Sequence, residues 1–272
     1  MSNGRKIILL VALALIPLMS ADAEPSLLKN EDPIRFGVLP FIPAGVLEYR
    51  FRALVQALSE ALDQPVLLES RAAYAPFREA LSAHEFDIAL VQPWDYMAVR
   101  EKGYTGLVQK GNPLRGVFVT NDDSLTNVSQ LQGKTVAFPD QMAAVTLTAK
   151  QRLMQAGIEE DDYQAVYHRD HQSCMLAVAN RSVDACVVGE RFGETSREQV
   201  GRNYRVFGYT APSPPILVII GPKLRHLHAQ LQRWFLSLHD TKTNQAILDN
   251  AYLDNIIAMR DSDYIEWFES LQ

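Results

Sequence analysis

The chain has 272 residues, 47% of them hydrophobic and 21% charged, with 14 Gly and 14 Pro. That is the composition of a globular protein, and it excludes collagen-like, disordered and many-spanning membrane classes. With 26 Lys and Arg against 32 Asp and Glu, a net charge of −6 and no basic block, it also argues against a nucleic-acid partner.

Arg5 and Lys6 precede an apolar run from Ile7 to Met19, and Ala21-Asp22-Ala23 follows it. This is the pattern of a secretory signal peptide, residues 1–23, cut after Ala23. The run is roughly a dozen residues, short of the ~20 that span a bilayer, and Pro17 lies near its end. No Cys sits near the cut to take a lipid. The mature chain is therefore expected to be exported and free in the periplasm of a two-membrane bacterium.

Ile34 to Pro40 reads as a buried first strand punctuated by Pro40 and Pro43. From Tyr49 to Leu62, Phe51, Leu54, Val55, Leu58, Ala61 and Leu62 recur at helical spacing, and Asp63-Gln64-Pro65 ends the helix. Val66-Leu67-Leu68 is strand-like, Phe77 to Ala83 helical, and Phe86 to Val91 a buried strand closed by Gln92-Pro93. This is the βαβ rhythm of a parallel sheet. It restarts with a strand at Val117 to Thr120, a short segment at Val128 to Leu131 and a strand at Thr135 to Phe138. A helix from about Ala144 to Ala156, a strand at Tyr163 to Tyr167, a helix at Gln172 to Ala179 and a strand at Val183 to Val188 follow. After the proline-rich crossing Ala211 to Pro215 come an apolar strand, Ile216 to Ile220, and a helical C-terminus with Leu224 to Leu238 clearest. The class is α/β with mixed, mostly parallel sheets. Residues 24–116 form the first part of one lobe, 117–210 a second lobe, and 211–272 return to the first. Ligands of open α/β sheets bind beyond the carboxyl ends of the strands. The cleft candidates are therefore Phe41, Gln92 to Tyr96, Pro139 to Thr146, Arg169 to Cys174 and Val188 to Glu190.

Several segments fall in register with one family. They are Phe36-Gly37-Val38-Leu39-Pro40, Phe86 through Tyr96, Leu131 through Phe138, His171 with Leu176 through Ala185, and Arg260 through Tyr264. In order and spacing the chain resembles the phosphate/phosphite/phosphonate-type periplasmic solute-binding proteins over nearly its whole mature length. The resemblance implies a two-lobed type II periplasmic-binding fold that closes on a small ligand and delivers it to a membrane permease or a sensor kinase. One segment departs from the pattern. Where transporter members carry a Ser-Thr-Ser-type hydroxyl cluster at a helix start, this chain has Met142-Ala143-Ala144-Val145, with Thr146 as the only hydroxyl. The helix start keeps its backbone N–H groups. Each missing charge-assisted donor is worth roughly 1.5–3 kcal/mol, so phosphonate is not carried over as the ligand.

Trp94 and Tyr96 follow a buried strand, where rings wall a pocket and the Tyr96 hydroxyl can donate; the bland reading is that both cap the sheet edge. The resemblance places Tyr96 and Phe41 in the pocket and makes His171 a ligand donor. Arg169 offers a planar fork for an oxyanion, and Glu190 suits a cationic part or a ligand hydroxyl. Cys174 and Cys186 lie near one sheet edge, which leaves three readings: a disulfide, separate buried thiols, or a soft-ligand site with His171 for a thiophilic species. No metal signature and no cofactor motif is present, and neither a Gly-x-Ser-x-Gly elbow nor a triad spacing supports an enzyme. The expectation is a monomeric, non-enzymatic solute-binding protein whose ligand is an anion or a thiophilic species. An exported enzyme and an interaction module without a ligand are the competing classes.

Overall fold

A computed structural model of the protein describes residues 32–192 and 204–271. The signal peptide and its cut after Ala23 lie outside the described residues. The chain opens with β1 (Ile34–Val38), α1 (Ala44–Leu62), β2 (Val66–Glu69), α2 (Tyr74–Ser82), β3 (Ile88–Val91), α3 (Pro93–Val99) and β4 (Thr105–Lys110). It continues through β5 (Gly116–Thr120), β6 (Thr135–Phe138), α4 (Ala144–Gln155), β7 (Gln164–Tyr167), α5 (His171–Ala179), β8 (Ala185–Gly189) and β9 (Arg205–Tyr209). It ends with β10 (Leu217–Ile220), α6 (His228–Ser237), α7 (Lys242–Asn250), β11 (Ile256–Ala258) and α8 (Asp261–Glu269).

The strands make two sheets. The larger has the order β11-β4-β10-β3-β1-β2, the smaller β7-β6-β8-β5-β9. Both are mixed rather than mostly parallel. The βα rhythm produces parallel pairs among β2, β1 and β3 and among β7, β6 and β8, and strands that enter from the crossings or the C-terminus, β10, β4, β11, β5 and β9, pair antiparallel. The two crossings, 111–115 and 210–216, run side by side, and Leu114 and Ser213 join them in an antiparallel bridge.

Local chemistry explains the elements that set the cleft. Pro43 stands at the N-cap of α1 and Leu47, Phe51, Leu54 and Leu58 form its buried stripe; each such side chain contributes roughly 1.5–3 kcal/mol by leaving water. Asp63 closes the helix in a left-handed conformation, φ 49°. At Gly37 a Cβ would lie 2.5 Å from the Phe86 ring, so β1 reaches β3 only with glycine there. Pro93, expected as a stop after β3, is instead the first residue of α3, a position its missing N–H and fixed φ favour. The expected helix from Leu224 to Leu238 divides into a 3-10 segment, Pro222–Leu227, followed by α6.

Candidate functional site

A cavity of about 520 Å³ is lined by residues that follow or precede strands of both sheets, within the range of small-molecule sites. Its wall comes from strand ends and helix starts of both sheets: Phe41 after β1, Tyr74 at the start of α2, Gln92 after β3, Ala143, Ala144 and Val145 at the start of α4, and His171 at the start of α5. Glu190, Arg191 and Phe192 follow β8, while Lys110, Arg115, Tyr252 and Asp254 complete the wall.

The aromatic part crosses the cleft. Phe192 stacks on His171 with centroids 4.7 Å apart and meets Phe41 edge-on at 5.9 Å and Tyr252 at 5.3 Å. Tyr252 is held in the left-handed region, φ 58°, in the turn between α7 and β11; a bulky residue is strained there, as functional sites tolerate. The His171 N–H donates to the Phe41 carbonyl at 3.3 Å, a main-chain bond between the lobes. The Gly189 N–H donates to His171 Nδ1 at 3.4 Å, which puts the ring proton on Nε2. Nε2 has no protein partner among the described residues, and the ring lines the cavity. Burial pushes His171 down to about 4, with Asp170 opposing. The ring is therefore a neutral donor at neutral pH.

The charged groups are already paired. Arg115 grips Glu190 with two bonds, 3.1 Å from Nε to Oε2 and 2.5 Å from Nη2 to Oε1, and stacks on Tyr209. Asp254 takes Lys110 at 2.9 Å and Arg191 as a second partner. Burial and the Arg191 charge push the Lys110 ammonium down to about 8. Among the described residues the wall holds the cations Lys110, Arg115 and Arg191 and the carboxylates Glu190 and Asp254.

The start of α4 is occupied from the opposite lobe. Gln92 Oε1 accepts the Ala144 N–H at 2.8 Å, and its Nε2 donates to the Met142 carbonyl at 2.9 Å. Gln92 is buried, and Ala143 provides no side-chain cap for the helix.

Of the residues read from the sequence, Phe41, Ala143, Ala144, His171 and Glu190 meet at this cavity. The others stand elsewhere. Tyr96 is buried and donates its hydroxyl to Asp261 at 2.5 Å, because α3 turns that face onto α8. Trp94 packs edge-on against Trp267. Met142 offers only its backbone, to Gln92 and Asp140. The Thr146 hydroxyl is buried with no partner among the described residues and lies off the cavity wall. The Arg169 side chain is 71% exposed, since the Asp170 N-cap turns it outward. Cys174 is bonded to Cys186, with Cα atoms 5.9 Å apart and both residues buried. That bond removes the thiolates a thiophilic ligand would need, and no metal-binding cluster occurs among the described residues. Reading the sequence missed Tyr74, Lys110, Arg115, Arg191, Phe192, Tyr252 and Asp254. Lys110 ends β4 and Arg115 ends the crossing that follows it, neither marked by a motif, and the C-terminal turn that carries Tyr252 and Asp254 has none either.

A family model described as "ABC transporter, phosphonate, periplasmic substrate-binding protein" matches residues 36–264. No curated protein matches the chain. Among solved structures, PhnD1 from Prochlorococcus marinus in complex with methylphosphonate is similar at a TM-score of 0.79 and 18% identity, over 88% of this chain and 97% of that one. A binding protein component of an ABC phosphonate transporter from Pseudomonas aeruginosa gives 0.77 and 16%, over 87% and 84%. The periplasmic aliphatic sulphonate binding protein SsuA from Escherichia coli gives 0.61 and 14%, over 89% and 93%. These likenesses establish a two-lobed type II periplasmic-binding fold.

Proposed function

Since this chain belongs to the periplasmic substrate-binding family of phosphonate ABC transporters, we propose that it captures an organic monoanion with an apolar, ring-like body in the cleft and presents it to a membrane permease. The observation that carries this reading is the composition of the cavity wall. Lys110, Arg115 and Arg191 all line it and give a negative group cationic side chains to approach. Phe41, Phe192 and Tyr252 offer flat apolar surface for the remainder of the ligand. His171 adds a neutral Nε2–H donor. A compact dianion such as a phosphonate would not find at the α4 start the hydroxyl donors it requires.

The same reading takes residues 1–23 as a cleaved signal peptide and the protein as a periplasmic monomer. No helix among the described residues is long and apolar enough to cross a membrane. Delivery to a sensor kinase is the variant that uses the same cleft.

A thermal-shift panel on the chain from residue 24 onward tests the proposal. A matching ligand at a hundred times its Kd stabilises by about 2.7 kcal/mol. Aryl carboxylates or sulfonates are expected to raise Tm, and inorganic phosphate and methylphosphonate to leave it in place. Saturable stabilisation by methylphosphonate would overturn the ligand class.

A further inference from the structure

We propose that Gln92 is a specificity-determining residue, a built-in occupant of the α4 start that keeps tetrahedral oxyanions out of the cleft. The inference rests on the reading of this cleft as the ligand site. The α4 start presents a donor, the Ala144 N–H, beside an acceptor, the Met142 carbonyl. A carboxamide is complementary to that pair because it carries one acceptor and one donor on a single plane. Gln92 reaches across from the end of β3 and satisfies both, at 2.8 and 2.9 Å, while almost wholly buried. An entering oxyanion must displace this side chain and strand its amide. It must also place negative oxygen against the Met142 carbonyl. Only an oxyanion that keeps a proton could satisfy both groups.

Two further features agree with an end of the cleft closed to ligand. Ala143 and Ala144 supply no side-chain donor, and the Thr146 hydroxyl of the same helical turn is buried with no partner among the described residues. The position of Gln92 is fixed independently of any ligand, since its carbonyl accepts the Asp95 and Tyr96 N–H groups that begin α3. Its side chain is thus held over α4 by the turn that starts its own helix.

Calorimetric titration of the wild type, Gln92→Ala and Gln92→Glu with methylphosphonate carrying one proton, and with sulfate, decides the matter. Gln92→Ala uncovers the donor and acceptor together, so methylphosphonate binding is expected to strengthen at least tenfold over the wild type, with no gain for sulfate. Gln92→Glu keeps an acceptor on Ala144, adds a charge, and is expected to show no gain for either. Should the alanine variant not unfold cooperatively, Gln92→Ser serves the same comparison. If the wild type and Gln92→Ala are equally silent, the role of Gln92 is overturned and the proposed ligand class stands. If the wild type itself binds methylphosphonate tightly, both fall.

Discussion

His171 converts its burial into a pH dependence that can be measured without knowing the ligand. Burial holds its ring at about 4 against an ordinary value of 6.5, a drop worth about 3 kcal/mol. The native ring releases its proton where the unfolded ring still keeps one. Stability is therefore fully present above pH 6.5 and is lost as pH falls from there towards 4. His171→Phe keeps a ring against Phe192 but has nothing to protonate, and it leaves the Gly189 N–H without its acceptor. That loss is a constant offset of roughly 1–3 kcal/mol. Urea denaturation across the acid range, run on both proteins, reads the difference; other titrating groups cancel where they are common to both. The gap between wild type and variant should narrow, or reverse in favour of the variant, by about 3 kcal/mol between neutral pH and pH 4. Parallel profiles would refute the buried, neutral ring, and with it the Nε2–H donor assigned to the cleft.

Two further perturbations test the frame that holds the site. Removing the Cys174–Cys186 bond, which spans a sequence separation of 12, should cost about 3 kcal/mol in the chain-entropy model. Oxidised wild type, wild type reduced in denaturant, and the Cys174→Ala/Cys186→Ala variant should rank in that way by Tm, with a drop of roughly 6–12 °C on reduction; two thiols titrating in the unreduced, unfolded protein would contradict it. Arg78→Ala leaves the wholly buried Asp95 carboxylate without its cation and should cost about 3–5 kcal/mol at neutral pH. Burial raises Asp95, so the native state takes up a proton more readily than the unfolded one and the loss should shrink on acidification. A loss that does not change with pH would show that the carboxylate does not bear the cost.

The βα rhythm was legible because strands buried on both faces, such as Ile88 to Val91, read as unbroken apolar runs. The strands that escaped notice have weaker patterns for physical reasons. Thr105–Lys110 mixes Gly106 and Gln109 into its run, Arg205–Tyr209 carries Gly208 beneath Val128, and Ile256–Ala258 has only three residues. These strands make the sheets mixed. In the site, positions next to parallel strand ends could be read, which brought out Phe41, His171 and Glu190. Tyr96 misled because one turn of helix separates facing the cleft from facing α8, and the sequence does not show that rotation. Gln92 lay among the cleft candidates, yet its partners Met142 and Ala144 belong to the other lobe, about fifty positions away in each case (|i−j| of 50 and 52). Lys110, Arg191 and Asp254 likewise acquire their meaning from one another.

The most direct measurement is a pair of calorimetric titrations of the chain from residue 24 onward, one with methylphosphonate and one with an aryl monoanion, each followed by small-angle scattering. No saturable heat is expected with methylphosphonate, and with the aryl monoanion a saturable heat of single-site stoichiometry with negative ΔCp from apolar burial. The scattering radius of the liganded protein should equal or fall below that of the free one. Tight one-to-one binding of methylphosphonate, with no response to ring-bearing anions, would contradict it.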